Sequence, residues 1–199
     1  MTRERGPGQP DPGRVVVMAV LVEGGLAPLA LLAGWLLGQP PLLGFAWRRR
    51  DAALGAAAAL PMLGLLLVGL RWPIAPMARI KRFIDEAVRP LLGACTWIDL
   101  ALISLAAGVG EEMLFRGAVQ GALVRRLGLG AGLAGASLLF GLLHPITAAY
   151  VVLAGLMGAY LGLIWALNGN LLTVIVAHAL YDFLALLILL RAPPEMPAG

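Results

Sequence analysis

Charge is scarce in this sequence. Of its 199 residues only 13% are Asp, Glu, Lys or Arg, against about 25% in an ordinary soluble domain. Sixty per cent are apolar and the mean hydropathy is +0.89. A water-soluble fold of this size would leave much of that apolar surface uncovered. The composition therefore excludes a soluble enzyme and a disordered chain, and it requires an integral membrane protein. Cysteine is nearly absent: Cys95 is alone, which excludes an internal disulfide framework and reads as a small apolar residue. Several enzyme signatures are missing too. There is no His-Glu-x-x-His of zinc proteases. No Gly-x-Ser-x-Gly is present, so Ser104 and Ser137 lack a nucleophile elbow. No Walker loop appears, and neither ATP nor nicotinamide chemistry is expected.

The net charge is +4 with a pI near 10.0, a balance that can mark nucleic-acid binding. Here the basic residues cluster between apolar runs, as membrane-flanking residues do. Zinc-finger, helix-turn-helix and RNA-binding signatures are absent. The expected partner is the lipid bilayer, with no nucleic acid.

Apolar runs set the organisation. Residues 1–14, rich in Gly and Pro, read as a flexible N-terminal tail. Val15–Leu37 carries one charge, Glu23, and is too long for a typical signal-peptide core, so it reads as an uncleaved transmembrane helix. Ala52–Leu70 is a second span, interrupted by Pro61. Further spans are expected at Trp97–Val124, Ala131–Pro145, Ala148–Leu167 and Leu171–Leu190. Between the second and third, Met77, Ile80, Ile84, Val88 and Leu91 recur at helical spacing among basic residues. That pattern describes an amphipathic helix lying on the membrane surface, or, as the plainer alternative, a solvated connector. The expected fold is all-α: a polytopic bundle of about six transmembrane helices plus one interfacial helix. Residues 15–191 form one transmembrane domain, and 192–199 are a C-terminal tail. Small residues four apart, Gly117/Gly121 and Gly158/Gly162, favour close helix packing. In a six-span topology Arg3, Arg5, Arg14, Arg71, Arg79, Lys81, Arg82, Arg89 and Arg191 fall on one side. Arg48, Arg49, Arg50, Arg125 and Arg126 fall on the other, a split that favours both termini in the cytoplasm.

Polar residues inside the spans carry the functional signal. Residues 131–190 contain one formally charged side chain, Asp182, and both histidines of the chain, His144 and His178. The third span carries Glu111, Glu112 and Arg116. Each such charge costs roughly 2.5–3.5 kcal/mol at mid-membrane, so a merely structural helix would carry Leu instead. Glu112 and Arg116 are four apart, share a helix face and can pair. Glu111 is offset by about 100° and points elsewhere. His178 and Asp182 are again four apart. Counted from their connecting turns at about 1.5 Å per residue, Glu111 and His144 both lie roughly 21 Å deep, with Arg116, His178 and Asp182 at about 12–18 Å. Taken singly, Glu112–Arg116 reads as a structural ion pair, and an intramembrane His reads as helix glue. Coincident depth on three segments is what those plain readings leave unexplained.

At these residues the sequence resembles the CAAX prenyl endopeptidase and bacteriocin-processing (CPBP, or Abi) family of intramembrane proteases. The resemblance rests on Glu111-Glu112-Met-Leu-Phe-Arg116, then Phe140-Gly-Leu-Leu-His144, then His178-Ala-Leu-Tyr-Asp182, and it spans about 98–190 as a catalytic core. Asp182 departs from the Asn of eukaryotic members, and an ionised carboxylate only accepts hydrogen bonds. The resemblance implies an intramembrane endopeptidase acting on a membrane-associated protein or peptide. Glu111 and His144 would activate water, and His178 with Asp182 would stabilise the oxyanion. Arg116 is expected to hold Glu112 ionised, leaving Glu111 free to act as the base. The expectation is a metal-free glutamate mechanism. The alternative is a zinc site built from Glu111, His144 and His178. A non-catalytic immunity or scaffold protein of the same family is the second reading. A proton-coupled transporter is the third, although paired broken helices are not visible. A multi-pass protein of the bacterial inner membrane is expected. The sequence leaves its oligomeric state open.

Overall fold

The computed structural model describes residues 10–72 and 74–191. Arg3, Arg5, most of the expected N-terminal tail and the tail at 192–199 lie outside the described residues. Within them the chain forms seven helices and no strand: α1 (Pro12–Leu37), α2 (Arg49–Arg71), α3 (Ala75–Leu92), α4 (Trp97–Leu127), α5 (Leu129–Leu142), α6 (Ala148–Asn168) and α7 (Leu171–Arg191). The all-α expectation holds. The N-terminal helix begins earlier than expected, because Pro12 fits a first turn whose backbone donors are unused anyway. Local chemistry sets the other boundaries. A capping box of Thr96 and Asp99 starts α4. Gly38 at φ 64° ends α1 and Gly169 at φ 72° ends α6, both in the left-handed region that Gly adopts freely.

The count of spanning helices differs from the six expected. Four helices (α1, α2, α6 and α7) are long and apolar enough to cross a membrane, or five when α3 and α4 are taken as one bent unit. The difference lies chiefly at α5. It has 14 residues, or about 21 Å, against a hydrocarbon core about 30 Å thick. The expected span runs on to Pro145, but the helix stops at Leu142. Pro145 cannot continue it, and Thr147 already caps α6 by accepting from the Tyr150 amide. The chain is an integral multi-pass membrane protein; in α1 a mere 6% of its most apolar window is buried by protein, which leaves most of that helix for lipid.

Second among the differences is α3. Its axis meets that of α4 at 113°. Its apolar residues Met77, Ile80, Ile84 and Val88 line a cavity of about 240 Å³ whose other walls come from α2, α6 and α7. Arg89 fastens it by donating to the carbonyls of Leu189 and Leu190 at 2.8 and 2.6 Å. The third is inside α4, where Met113–Gln120 is wound as a π-helix directly after Glu111 and Glu112. Nothing in the sequence announces this, although π-turns are frequent at functional sites.

Helix α4 is the centre of the bundle, packed against α1 on one side and α7 on the other. Glycines permit the approach. A Cβ on Gly110 would fall on the Glu23 carbonyl of α1, and one on Gly108 would meet the Ala179 Cβ of α7 at 2.9 Å. The run Gly130-Ala131-Gly132-Leu133-Ala134-Gly135 has the spacing of a dinucleotide fingerprint, yet it lies within α5 rather than after a strand. Its Gly132 packs on the backbone of Val124. At one end of the bundle Asn170 closes a clamp. Its side-chain amide donates to the Asp51 carboxylate at 2.6 Å and the Ala46 carbonyl at 2.8 Å, while its oxygen accepts from the Ala46 amide at 3.0 Å. Asp51 and Asn170 are both buried, so the clamp satisfies polar groups that water does not reach.

Replacing Gly110 by Ala is expected to lower stability by about 1–3 kcal/mol, the range for overpacking a fitted contact. Gly64→Ala, where nothing lies within 4 Å, is expected to be neutral or slightly stabilising. Thermal unfolding of the two variants in the same detergent checks the contrast.

Candidate active site

The polar residues predicted to share a depth meet in one place. Glu112, 0% exposed, and Arg116, 1% exposed, form the i,i+4 ion pair at 2.9 Å. A guanidinium so deep in a low-dielectric medium needs its remaining donors satisfied. Arg116 donates a second hydrogen bond to the Gly158 carbonyl at 3.2 Å, and its plane lies 4.7 Å from the Phe140 ring centre. Gln120, one further turn along, donates to the Gly162 carbonyl at 2.9 Å. Gly158 and Gly162, expected to serve helix packing, are thus also the acceptors that fix α6 against α4.

Glu112 does more than hold Arg116. Its Oε1 also accepts from His178 Nδ1 at 2.7 Å. The carboxylate can only accept, so the hydrogen is on Nδ1 and Nε2 is turned the other way. That Nε2 lies 3.3 Å from Asp182 Oδ2 and 4.0 Å from Glu111 Oε2. His144 is oriented in the same manner: Nδ1 donates to the Phe140 carbonyl at 2.7 Å, and Nε2 stands 3.8 Å from Glu111 Oε2. The two imidazoles therefore present Nε2 toward the same carboxylate oxygen. Glu111 Oε2 is itself buried and has no hydrogen-bond partner in the protein.

These groups line a cavity of about 80 Å³ together with Tyr150, Tyr181 and Met62. Tyr150, Tyr181, Asp182 and Met62 also border the larger apolar cavity under α3, so the two cavities lie side by side and share these walls. Sequence reasoning misses four of these features. Glu112 as the partner of His178 needed knowledge of how α4 and α7 face each other. Tyr150 and Tyr181 look like ordinary membrane aromatics. Glu23 lies within electrostatic reach of Asp182, His178 and Glu111, and its signal was present, as the sole charge in an apolar run.

The alternative zinc set, Glu111, His144 and His178, does not close around a common point. Ligand atoms of a tetrahedral zinc with bonds near 2.0–2.1 Å stand about 3.3 Å apart, whereas these imidazole nitrogens are 3.8 and 4.0 Å from the Glu111 oxygen. Among the described residues no group of three His, Cys, Asp or Glu is arranged to hold a metal ion.

Arg116→Ala is expected to cost about 3–5 kcal/mol, because it leaves the Glu112 charge buried without its cation. Folded yield by size-exclusion chromatography should fall accordingly, and Glu111→Gln should leave that yield intact.

Neither a curated protein nor a solved structure matches the chain. The family model described as type II CAAX prenyl endopeptidase Rce1-like does match, over residues 93–184. That stretch runs from just before α4 into α7 and contains Glu111, Glu112, Arg116, His144, His178 and Asp182. This segment and the site it builds support assigning the chain to the CPBP/CAAX protease family.

Proposed function

We propose that the protein is a glutamate-dependent intramembrane endopeptidase that hydrolyses a peptide bond in a membrane-associated protein or peptide. The family places its kind of function with the CAAX-type proteases. The observation that carries the finer reading is Glu111 Oε2, buried without a partner and faced by Nε2 of His144 and of His178. An unpaired carboxylate oxygen in a dry cavity is an expensive structural feature, and a useful one for removing a proton from water.

The roles follow from the hydrogen positions. A water bound between Glu111 and His144 gives one proton to Glu111 as its oxygen adds to the substrate carbonyl carbon. His144 orients that water through the Nε2 lone pair, its Nδ1 hydrogen being held by the Phe140 carbonyl. The electron pair of the carbonyl moves to oxygen, where His178 and Asp182 meet the developing charge. Collapse breaks the C–N bond, and the protonated Glu111 returns its proton to the leaving amine. Arg116 and Glu112 take no part in these transfers; they keep His178 in one tautomer and one orientation. The apolar cavity beneath α3 adjoins the site and gives a lipid-like portion of the substrate somewhere to lie. By this reading the protein works in a bacterial inner membrane.

Glu111→Gln and His144→Ala are each expected to abolish processing while inserting normally, since neither adds charge to a span. Comparing the cleavage products of membrane proteins between wild-type and Glu111→Gln cells tests this. Products that persist in both variants would make the protein a scaffold or immunity factor rather than a hydrolase.

A metal-free reaction is part of the proposal. Elemental analysis of purified protein is expected to find well under one metal per chain, and activity should survive exhaustive chelation. One zinc per chain, lost with activity and restored with it, would replace the glutamate mechanism by a zinc one.

A further inference from the structure

Donor accounting in the site leaves one need unmet. An oxyanion forming in a dry cavity is stabilised by hydrogen-bond donors already aimed at it, commonly two. His144 cannot be one, because its single hydrogen is on Nδ1 and bound to the Phe140 carbonyl. His178 likewise has its Nδ1 hydrogen on Glu112. Its Nε2 and the Asp182 carboxyl, 3.3 Å apart, hold at most one hydrogen between them: an imidazolium donates it to the carboxylate, a carboxylic acid donates it to the imidazole, or a neutral imidazole beside a carboxylate has none. The pair therefore has at most one hydrogen to turn toward a substrate. The remaining heteroatoms of Glu111 and Asp182 accept.

Two hydroxyl-bearing side chains border the same cavity, Tyr150 and Tyr181. Neither makes a hydrogen bond among the described residues. Tyr160 on the same helix as Tyr150 shows the ordinary case, its hydroxyl donating to the Ala58 carbonyl at 2.9 Å. A phenol beside the reacting groups with its hydrogen unspent is available to a group bound there. Of the two, Tyr150 is the one set against His144, the histidine that orients the attacking water. Its ring lies 6.3 Å from that of His144, and it borders the apolar cavity as well as the polar one. Its place on the first turn of α6 is fixed by the Thr147 cap, which binds the Tyr150 amide at 3.1 Å.

We infer that the Tyr150 hydroxyl is the second oxyanion donor of the site, a catalytic residue outside the three motif segments. The inference rests on the hydrolase reading above. No proton leaves the phenol: as the water oxygen adds to carbon and its proton passes to Glu111, the Tyr150 O–H lends a hydrogen bond to the carbonyl oxygen. It withdraws that bond when the C–N bond breaks and the carbonyl re-forms. A substrate chain entering from the apolar cavity passes Tyr150 before it reaches Glu111, so the same ring walls the entrance and the same hydroxyl meets the carbonyl.

The test uses the full-length protein in lipid vesicles with a farnesylated CAAX peptide that fluoresces on cleavage, alongside profiling of cleaved membrane proteins in cells. Tyr150→Phe keeps the ring and removes the oxygen alone. It is expected to lower kcat by about 100- to 1,000-fold, the range for losing one oxyanion donor, with KM within about threefold and an unchanged unfolding midpoint. Tyr160→Phe should remain near wild-type in kcat. If Tyr150→Phe keeps kcat within threefold while Glu111→Gln is inactive, the inference falls and the hydrolase reading stands. The inference falls equally if Tyr181→Phe shows the kcat loss and Tyr150→Phe does not. If wild-type protein cuts neither the peptide nor any cellular membrane protein, or if Glu111→Gln retains activity, the hydrolase reading falls and takes the inference with it.

Discussion

A carboxylate with no exposure, deep in a helix bundle set in lipid, has to find its counter-ion within the protein. Glu112 is that carboxylate, and three helices are arranged to answer it. Arg116 supplies the cation from α4 itself, and His178 supplies a hydrogen from α7. Arg116 in turn needs an acceptor for its remaining donors and takes the Gly158 carbonyl of α6. A Cβ on Gly158 would press on the Phe140 ring at 3.3 Å, the same ring that lies against the Arg116 guanidinium. The energetic scale explains why this network governs the rest. A single unpaired charge in such a site costs several kcal/mol, comparable to the whole net stability of many domains. Any packing that separates α4, α6 and α7 therefore exposes an uncompensated ion, and the assembled bundle is the arrangement that avoids it.

Two adjacent glutamates have opposite fates because of about 100° of helix rotation. Glu112 points into the network, where its Oε1 takes hydrogen bonds from Arg116 and His178 while its Oε2 takes none. Glu111 points into the cavity, and its Oε2 has no partner. The first makes the second useful. By fixing the tautomer of His178, Glu112 turns Nε2 toward Glu111, and the Phe140 carbonyl does the same for His144. Rigidity at the network and unsatisfied valence at the cavity are two sides of one dipeptide, which is the division of labour expected where a site is held by a well-packed support.

Much of this was legible in the sequence because charge in a membrane helix is rare enough to stand out. The cost of burying Glu111, Glu112, Arg116 and Asp182 singled them out, and counting residues from the turns put them at overlapping depths with both histidines. Depth survives well in such a reading, because helix rise is nearly constant. Azimuth survives poorly. That His178 would turn its Nδ1 to Glu112 depended on the relative rotation of α4 and α7, which residue spacing within either helix does not encode. The π-turns at Met113–Gln120 likewise leave no compositional trace. The tyrosines were hidden by the commonness of aromatics in membrane proteins. For α5, residue type was legible and length was not, since the apolar run continues beyond the point where Pro145 and the Thr147 cap stop the helix. For α3 the amphipathic pattern was correct, but a periodic apolar face looks the same whether it rests on lipid or roofs a cavity.

The clamp at Asn170 has a consequence for how this chain can vary in length. Asn170 ties the beginning of α7 to Ala46 and Asp51, and His178 follows on the same helix. Adding or deleting one residue between them would swing the imidazole by about 100° and move it about 1.5 Å along the axis. That rotation would carry it away from both Glu112 and Asp182. The clamp thus acts as a ruler with its zero mark at one end of the bundle, and the interval from Asn170 to His178 is a segment in which substitutions are tolerable but insertions and deletions are not. The chain between α5 and α6 has no such ruler behind it. His144 lies past the end of its helix, and its position is set instead by the short hydrogen bond back to Phe140.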